Sequence, residues 1–595
     1  MGPLKEYDSV AALRKKLIEG QPNGGNSELP LHLGYSLSNK ERKRAKKLQL
    51  LKLQKSELKQ RFKEEKIRKK ETMKKKNKAW IKAMLGTNGK SAEPISSPLV
   101  AETTDNSEVL SCSDDEEPPE LVYVPPRKML SSKSKLKSFN IHDSRGRALK
   151  MLQWMIEPYP VKKFMQEIFE KRPLVIGKRK ADYYQQLFGT KEFDAILRKK
   201  DVLFGRNLDV VKCVKGVRKT LTPEGERAYP SKVWGHFKEG CSVRMLNPQT
   251  YSLPVWRLLS VLTEYFNSFV GCNMYLTPAG HQGFAAHYDD IEAFVLQIEG
   301  KKHWKVYNPM DEDSTLPRES SRDFLPHELK EKPVLEVTLE PGDLLYFPRG
   351  YIHHATADDD AHSLHLTVSC HQKHTYGDFL MELLPMAVKT AMEEDVEFRK
   401  SLPVDFGQHI GSIHSEKQNE GARSDFFTKI GDLVSRLMYF APVDATADQF
   451  AVKVLEESLP PVLSEGEKSC SVFRAGEPWQ GVEEVNGVTL DINIGVRLVR
   501  YGAVRLVGEA NEIRLHYNVG NTRVYREAGT KFVVIADEEV DVVEALISQY
   551  PQYSLIKDLP DIGGKSGKTL AFVTKLFEIG LLLTDAPVLA MRDVE

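Results

Sequence analysis

The sequence predicts a mixed, mainly β fold whose core is a double-stranded β-helix of jelly-roll type. Between residues 206 and 306, short β-rich runs such as LDVVKCV (208–214) and CSVRML (241–246) are separated by Gly and Pro turns. Alternating runs such as NMYLT (273–277) place polar residues on one face, and YSLPVWRLLSVLTEYF (251–266) has helical spacing. Many short strands closed around inward polar residues are typical of a jelly roll.

Charge is distributed very unevenly along the 595 residues, which are enough for three or four domains. The formal net charge is +2, yet the stretch from Lys40 to Lys78 holds nineteen Lys and Arg residues against five Glu, so the rest is net acidic. We predict a basic arm over residues 39–85 that targets the chain to the nucleus and nucleolus and attracts RNA or DNA phosphates non-specifically. The alternative is a solvated charged tail without a specific ligand.

The first 138 residues as a whole are expected to be disordered. Within them, residues 92–126 form a linker rich in Ser, Pro and acidic side chains. Ser111 and Ser113 in this linker are candidate sites for acidophilic kinases.

Cysteine usage and hydropathy indicate the cellular compartment in which the protein is expected. The six cysteines are scattered with no CxxC pair, which favours reduced thiols in a cytosolic or nuclear protein over a disulfide framework or a zinc site. The sequence has no N-terminal apolar segment and no apolar run of about 18 residues, so neither secretion nor a membrane span is expected.

Ordered structure is predicted to begin near Phe139 with a helical lead-in to the β core. Leu149, Leu152 and Ile156 recur at helical spacing, and KRPLVIGK (171–178) has the composition of a strand. We assign one domain to residues 139–375, with its β core at about 240–375.

A candidate metal site lies in two stretches, GFAAHYDDIEAFVLQIEGKKHWKVY (283–307) and PGDLLYFPRGYIHHA (341–355). His287 and Asp289 stand two residues apart in an alternating run that predicts a strand, so both side chains project from one face. In the second stretch a turn and an apolar strand that ends at His353 deliver another imidazole. Two imidazoles and one carboxylate that leave other positions open are the facial triad of a non-haem Fe(II) site.

The third ligand has competitors in His354, His362 and His365. Adjacent residues on a strand face opposite ways, so His353 and His354 cannot both point at one metal ion. Lys302 follows the Glu299-Gly300 turn, where its ammonium would reach a carboxylate beside the metal. The alternative for Lys302 is an exposed turn lysine.

These stretches resemble the JmjC, cupin-type Fe(II)- and 2-oxoglutarate-dependent oxygenases, and within them the ribosomal oxygenases. The family's pattern of PRG, two residues and His falls on His353, and its 2-oxoglutarate lysine falls on Lys302. The similarity runs from about residue 140 to the C-terminus. It is carried by GCSVRMLNPQ (240–249), NMYLTPAGHQGFAAHYDDIEAFVLQIEGKKHW (273–304), GDLLYFPRGYIHHA (342–355) and AHSLHLTVS (361–369).

The resemblance implies Fe(II) held by His287, Asp289 and His353, with 2-oxoglutarate and O2 as co-substrates. A 2-oxo acid chelates a metal through its C1 carboxylate and keto oxygen, so its far carboxylate needs a cation, for which we expect Lys302. The expected polar neighbours of this co-substrate are Asn273, Tyr275, Thr367 and Ser369. Candidate contacts to a substrate peptide are Arg244, Tyr275 and Ser369, although Arg244 equally suits a structural ion pair.

The implied reaction is β-hydroxylation of a histidine in a large-subunit ribosomal protein. An alternative within the family is demethylation of N-methyl-lysine in histone H3, in a role in transcription regulation. That reaction needs a cage for the methylammonium group, and no such cage is recognisable in the sequence. A hypothesis of a different class is a non-catalytic chromatin- or ribosome-binding scaffold, which the intact ligand set and Lys302 disfavour.

The last 220 residues predict two further modules. Residues 376–455 contain amphipathic helices whose broad apolar faces favour a dimerisation module and a homodimer; the alternative is that they pack back on their own barrel. Residues 456–595 combine strands and helices and resemble the winged-helix C-terminal domain of the same family. Winged helices often bind DNA, but the candidate recognition helix carries little positive charge, so a protein-interaction or structural role is an equal alternative.

Overall fold

The computed structural model describes the backbone of Val122–Tyr123 and then residues 143–415, 421–474, 490–509, 512–524, 529, 531–564 and 566–588. The predicted basic arm, and the acidic linker apart from residues 122–123, lie outside the described residues. Ser111 and Ser113 lie outside them as well.

The part of the chain before residue 371 contains the β core and its lead-in. Its strands are β1 (Val122–Tyr123), β2 (Leu174–Ile176), β3 (Leu208–Val214), β4 (Val217–Thr220), β5 (Ser242–Leu246), β6 (Gly271–Thr277), β7 (Glu292–Glu299), β8 (Lys302–Tyr307), β9 (Leu335–Leu339), β10 (Leu344–Phe347), β11 (Ile352–Ala357) and β12 (Ser363–Cys370). Its helices are α1 (Ser144–Ile156), α2 (Val161–Lys163, continued by a π-helical turn at Phe164–Ile168), α3 (Thr190–Lys199), α4 (Pro230–Lys238) and α5 (Leu253–Phe266).

Two β-sheets face each other and enclose an apolar interior. The larger sheet has the order β1-β2-β10-β7-β12-β6-β5-β3-β4 and the smaller one β11-β8-β9, and apart from β1 with β2 all neighbours are antiparallel. Val295 and Leu345 of the larger sheet share one buried cluster with Trp304 and Leu339 of the smaller sheet. The mainly β, two-sheet fold class predicted from the sequence is confirmed.

Alternation along β12 separates the two faces of the larger sheet. Leu364, Leu366 and Val368 belong to a cluster that includes the apolar side of α5, so they face the helices that cover the sheet. Because successive side chains of a strand point to opposite faces, Ser363, His365, Thr367 and Ser369 face the interior between the sheets.

The segments that carry the candidate metal ligands differ locally from the sequence prediction. His287 and Asp289 do not lie in a continuous strand: Ala286 and His287 form single-residue bridges, to Phe324 and His353 respectively. Likewise the strand of the second stretch ends at Phe347, and His353 is the second residue of the next strand, β11. The interruption falls at Pro348-Arg349-Gly350, because proline has no N–H for a ladder and Gly350 has a φ of +90°.

The helices after the β core include one with a partly exposed apolar face. They are α6 (Tyr376–Glu394), α7 (Phe406–His409), α8 (Gly421–Leu437), α9 (Val443–Glu457) and α10 (Glu465–Ser469). Lys453 of α9 pairs with Glu382 of α6 at 2.5 Å, while Leu380, Met381 and Leu384 of α6 stay exposed. Residues 402–415 and 421–426 belong to a separate unit, in which the rings of Phe406 and Phe426 stack 6.2 Å apart.

The C-terminal part is built on a second core between strands and helices. Its elements are β13 (Gly495–Leu498), β14 (Val504–Glu509), β15 (Glu512–Tyr517), β16 (Lys531–Ile535), α11 (Val540–Gln549), β17 (Ser554–Leu555), α12 (Ser566–Glu578) and β18 (Leu582–Thr584). They form two three-stranded sheets, β17-β13-β18 and β14-β15-β16. This part docks on α1 and α5: the Ser144 N–H donates to Tyr550 Oη at 2.9 Å, and the Gly502 N–H donates to Glu264 at 3.1 Å. Within the described residues, no helix has the length and apolar character needed to cross a membrane.

A buried ion-pair network lies beneath the mouth of the β core. Arg349 is 5% exposed and contacts Glu292, which is fully buried, at 3.1 Å, and Glu170 of the lead-in at 2.7 Å. Tyr346 Oη also donates to the Glu292 carboxylate. Burial raises the pKa of Glu292 to about 7, although Tyr346 and Arg349 both oppose that shift. The network therefore ties the lead-in to the start of β7 and to the loop before β11.

Arg349→Met is expected to lower the free energy of unfolding by about 3 kcal/mol, because it leaves the Glu292 carboxylate buried without its cation. Urea denaturation followed by circular dichroism measures the change. The double variant Arg349→Met/Glu292→Leu should recover part of it, since no buried charge remains unpaired. Lys301→Met, which removes an exposed ion pair with Glu340, is the control and should leave the midpoint unchanged. Equal urea-unfolding midpoints for Arg349→Met and Lys301→Met would contradict the stabilising role of this ion-pair network.

Candidate metal centre

Three potential metal ligands from distant parts of the chain converge at the mouth of the β core. Ligand atoms of His287, Asp289 and His353 all lie within 4.8 Å of one another. The Nε2 atoms of His287 and His353 are 3.8 Å and 3.7 Å from the Asp289 carboxylate oxygens. These separations are too long for hydrogen bonds, and they suit three atoms that share one ion.

The second nitrogen of each imidazole is fixed by the backbone. His287 Nδ1 is 2.8 Å from the Ala285 carbonyl oxygen, and His353 Nδ1 is 3.1 Å from that of Tyr351. A carbonyl only accepts, so each Nδ1 carries the proton and each Nε2 presents a lone pair to the shared centre, as in metal-binding histidines. Burial, and next the neighbouring His287, lower the pKa of His353, which keeps this imidazole neutral and able to coordinate.

Backbone hydrogen bonds hold the ligands at this spacing. The N–H of His353 donates to the carbonyl of His287 at 2.8 Å, and the N–H of His287 donates back at 3.2 Å. The Gly350 N–H donates to the Asp289 carbonyl at 3.1 Å. A Cβ at Gly350 would lie 2.3 Å from the Ser314 carbonyl oxygen, so only glycine fits where the loop supports Asp289.

A loop on the other side completes the support of the ligand segment. The Phe324 N–H donates to the Ala286 carbonyl at 2.7 Å, and the Ser321 N–H donates to that of Tyr288 at 2.9 Å. Asp290 accepts from Ser320 Oγ at 2.8 Å and from Gln372 Nε2 at 2.9 Å. The segment is thus held between this loop and β11.

A cavity of about 390 Å³ opens beside the ligands. Its wall contains His287 and Asp289 and four of the residues that the sequence singled out around the site: Asn273, Tyr275, Thr367 and Ser369. Arg244 also lines it. Asn273 and Thr367 are paired across β6 and β12, as are Tyr275 and His365, so one polar strip runs down this part of the interior.

Arg244 is both an ion-pair residue and part of the cavity wall. It donates through Nε to Asp209 at 2.9 Å, and its guanidinium lies 5.4 Å from the centre of the Phe284 ring. Arg218 of β4 approaches the same ring at 5.7 Å and pairs with Asp323 at 3.2 Å. The cavity is therefore flanked by two arginines whose charges are matched by carboxylates.

Lys302 lies inside the β core rather than on the turn surface. It is 5% exposed, and its Nζ donates to Thr277 Oγ1 at 3.1 Å. Among the described residues it has no acidic partner, and burial lowers its pKa to about 7. A Cβ at Gly300 would lie 1.7 Å from the His362 carbonyl oxygen, so glycine is needed in the turn that directs β8, and Lys302 with it, into the interior.

The other candidate histidines lie away from the three ligand atoms. His354 stacks on Tyr307, with ring centroids 6.0 Å apart, on the opposite side of β11. His362 pairs with Glu299 at 2.9 Å. His365 is buried between the sheets beside Trp304.

Sequence reasoning missed several residues of the cavity wall. Arg218 sits on a hairpin with no motif, and Asp290, Ser320 and Asp323 gave no signal of their own. In the sequence, His365 stands out only as a candidate metal ligand. The alternation that put Thr367 and Ser369 on one face extends to it and identifies an inward position.

Family models match both the β core and the C-terminal part of the chain. The JmjC domain model matches residues 244–378, and the model described as "Ribosomal oxygenase 1, C-terminal winged helix domain" matches residues 459–588. Ribosomal oxygenase 1 of Danio rerio is 46% identical over 451 residues, which cover 76% of this chain and 82% of that protein. The bifunctional lysine-specific demethylase and histidyl-hydroxylase NO66 of Dictyostelium discoideum is 43% identical over 446 residues, or 75% of this chain and 84% of that protein. A solved structure of the Escherichia coli ribosomal oxygenase YcfD in complex with cobalt and 2-oxoglutarate is 14% identical, with a TM-score of 0.38, and covers 72% of this chain and 99% of that chain.

His287→Ala and His353→Ala are each expected to weaken binding of Co(II) by more than the roughly 10–100-fold typical of losing an outer-shell partner. Each variant removes one of the three atoms that face the shared centre. Isothermal titration calorimetry of the full chain measures the affinity. His354→Ala is the matched control, because its ring stacks on Tyr307 instead. Loss of Co(II) binding in His354→Ala with retention in His353→Ala would reverse the assignment.

Proposed function

We propose, because the chain belongs to the ribosomal oxygenase family of JmjC-domain proteins, that it hydroxylates the β-carbon of a histidine in a large-subunit ribosomal protein. Its class is that of the Fe(II)- and 2-oxoglutarate-dependent oxygenases. The observation that carries the proposal is the convergence of two Nε2 lone pairs and one carboxylate beside an open cavity.

The residues present fit Fe(II). Two imidazoles and one carboxylate match the facial triad of non-haem iron sites, and carbonyl-bound Nδ1 protons are the usual outer-shell support. When bound, iron and 2-oxoglutarate supply the chemistry: O2 oxidises the co-substrate to succinate and CO2, and one oxygen atom enters a substrate C–H bond to give an alcohol. The chain's own residues bind and orient the reactants and exclude competing reactions.

Charge balance supports Lys302 as the co-substrate cation. A divalent metal, the Asp289 carboxylate, a 2-oxo dicarboxylate with two negative charges and the Lys302 ammonium sum to zero. A buried site favours that neutrality, because unpaired charges in an apolar interior are costly. Without a carboxylate, Lys302 has only the Thr277 hydroxyl as a described partner, which makes it a ready acceptor for one.

The residues that line the cavity support its role as the binding site of the substrate peptide. Arg244, Tyr275 and Ser369 line the same cavity as His287 and Asp289, two of the proposed metal ligands. Asn273 and Thr367 line this cavity as well. We assign the first three to the substrate side and Asn273, Thr367 and Lys302 to the co-substrate side. Tyr275 and Ser369 lie at the boundary and serve both.

The residues that line the cavity fit hydroxylation of a histidine better than demethylation of a lysine. A methylammonium cage needs free aromatic faces, and Phe284 and Tyr275 are the aromatic rings among the described lining residues of the cavity. Phe284 already has the guanidiniums of Arg244 and Arg218 next to it. Demethylation of histone H3 stays the second candidate, since the name of the Dictyostelium relative includes a lysine-specific demethylase.

We further propose a division of the chain and an assembly. The oxygenase domain spans residues 139–375, a helical dimerisation module spans 376–455 and a winged-helix domain spans 456–595.

The exposed apolar side chains of α6 support a homodimer interface. Light scattering of an α6 variant with charged replacements tests this interface. The ribosomal relatives and the basic arm support a nuclear, nucleolar location with non-specific nucleic-acid contact, which imaging of an arm-deleted chain tests.

Incubation of the full chain with Fe(II), 2-oxoglutarate and O2 is expected to add one oxygen atom to a histidine-containing ribosomal-protein peptide. Tandem mass spectrometry locates the added atom, and His287→Ala is the blank. A panel of large-subunit ribosomal-protein peptides and a trimethylated histone H3 peptide separates the candidates. Stepwise loss of methylene units from the histone peptide would favour the demethylase, and absence of both products together with no succinate would favour a non-catalytic scaffold.

The affinity for 2-oxoglutarate is expected to fall as pH rises above about 7. The protonated ammonium of Lys302 is the form that binds a carboxylate, and it is fully present only below its ligand-free pKa of about 7. Bound carboxylate raises that pKa, so binding above pH 7 takes up a proton and the Kd increases by up to about tenfold per pH unit. Anaerobic calorimetry of the Mn(II)-loaded chain between about pH 6.5 and about pH 8.5 measures it. Lys302→Met should bind weakly with no such slope, and a pH-independent Kd in the unaltered chain would contradict the low pKa.

A further inference from the structure

The polar strip between the sheets is organised in three successive layers. Ser363 pairs with Thr277, His365 with Tyr275, and Thr367 with Asn273 across β12 and β6. Residues two apart on a strand lie about 6.6 Å apart on one face. The first layer carries the hydroxyl that holds Lys302, and the third lines the cavity with His287 and Asp289. The His365–Tyr275 layer therefore lies between the buried cation and the metal ligands.

The imidazole of His365 is held rigidly in this middle layer. Its ring stacks on Tyr275 at 5.0 Å with an interplanar angle of 8°, and it meets the edge of Trp304 at 5.4 Å. The Lys302 Nζ approaches the same Trp304 ring at 5.8 Å. His365 is 2% exposed, so its position is fixed by packing on both sides.

One nitrogen of this buried ring has no hydrogen-bond partner among the described residues. Nδ1 of His365 is inaccessible to solvent and receives or donates no hydrogen bond within the described part of the chain. Buried polar atoms are almost always paired, and an unpaired one is unfavourable. An unpaired Nδ1 near an ammonium that has a hydroxyl but no carboxylate partner among the described residues points to a ligand that satisfies both.

We propose that His365 is a second contact to the co-substrate, in which its Nδ1–H donates a hydrogen bond to the far carboxylate of 2-oxoglutarate beside Lys302. This inference rests on the proposed function, since it presupposes that a 2-oxo dicarboxylate spans from the metal to Lys302. A chain molecule on that path crosses the His365–Tyr275 layer. His365 is a binding residue here and is not a metal ligand.

A neutral donor is what the charge balance of the site requires. Burial, and next the charge of Lys302, lower the pKa of His365 well below its usual range, so the imidazole is uncharged at neutral pH. A neutral imidazole carries one N–H, which donates to a carboxylate without adding a second positive charge to a site that is already balanced. Tyr275 then has a further role, because its ring sets the orientation of that N–H.

The proposal predicts selectivity for 2-oxo acids that have a second carboxylate. His365→Phe keeps an aromatic ring between Tyr275 and Trp304 but has no N–H. The Kd of the Mn(II)-loaded full chain for 2-oxoglutarate is expected to rise on the order of tenfold or more, as for loss of a hydrogen bond to a charged group. The Kd for 2-oxobutyrate, which lacks the far carboxylate, is expected to change less than about twofold, within the error of such comparisons.

Three further measurements make the outcome decisive. His365→Asn restores an amide N–H near the position of Nδ1 and should recover much of the 2-oxoglutarate affinity. His303→Phe, on the outward face of β8 beside Glu336, is the matched histidine control and should leave both Kd values unchanged. Mn(II) affinity in the absence of any 2-oxo acid should be the same in all four proteins. If thermal unfolding finds His365→Phe unfolded, His365→Leu, which also lacks an N–H, takes its place in the comparison of the two Kd values.

Failure of this inference is distinguishable from failure of the proposed function. Absence of 2-oxoglutarate binding by the unaltered chain would overturn the proposed function and this inference with it. Binding by the unaltered chain with an equal Kd in His365→Phe would overturn the role of His365 alone, because packing without hydrogen bonding would then suffice. An equal loss for 2-oxobutyrate and 2-oxoglutarate would also overturn it, since the contact would not involve the far carboxylate.

Discussion

The exchange of two backbone hydrogen bonds between His287 and His353 is the contact on which the site depends. It is an isolated bridge, yet it brings together two residues far apart in sequence, one in each ligand segment. Because the two residues face each other as a direct pair, their side chains project to the same side. The carbonyl groups of Ala285 and Tyr351 then hold the Nδ1 protons, so both lone pairs face Asp289. A site of this kind needs little reorganisation when a metal ion arrives.

The support beneath the bridge is a set of buried charges. The guanidinium of Arg349 neutralises Glu292, and the next residue, Gly350, donates its N–H to Asp289. The same short turn therefore balances a buried carboxylate and positions a ligand segment. Apolar packing alone would give comparable stability, as replacements of buried ion pairs in other proteins show, but it would not fix the orientation of this turn in the same way.

Farther inside, the site contains two buried polar groups that are incompletely paired within the described part of the chain. Among the residues that the structure describes, Lys302 has no carboxylate partner and His365 has no partner for Nδ1, and both contact Trp304. Buried groups of this kind lower the stability of the ligand-free fold. They favour binding, because a ligand that pairs with them removes the free-energy penalty of burying unpaired polar atoms. A ligand that reaches from the metal ligands to Lys302 passes the layer of His365 and Tyr275.

The sequence by itself determined which residues face inward and which family the chain resembles. Strand alternation put Thr367 with Ser369, and the family pattern singled out His353 and Lys302. The same alternation predicts a shared face for His287 and Asp289, which converge although they do not lie in a continuous strand. The sequence did not determine that the strand before His353 breaks at Pro348, that His365 faces the buried cation, or that Arg218 and Asp323 meet at the cavity. Periodicity records the face of a strand to which a side chain belongs, whereas the residue opposite is set by how two sheets pack around a shared apolar core. Only the tertiary structure decides that pairing, because it depends on contacts between segments far apart in the chain.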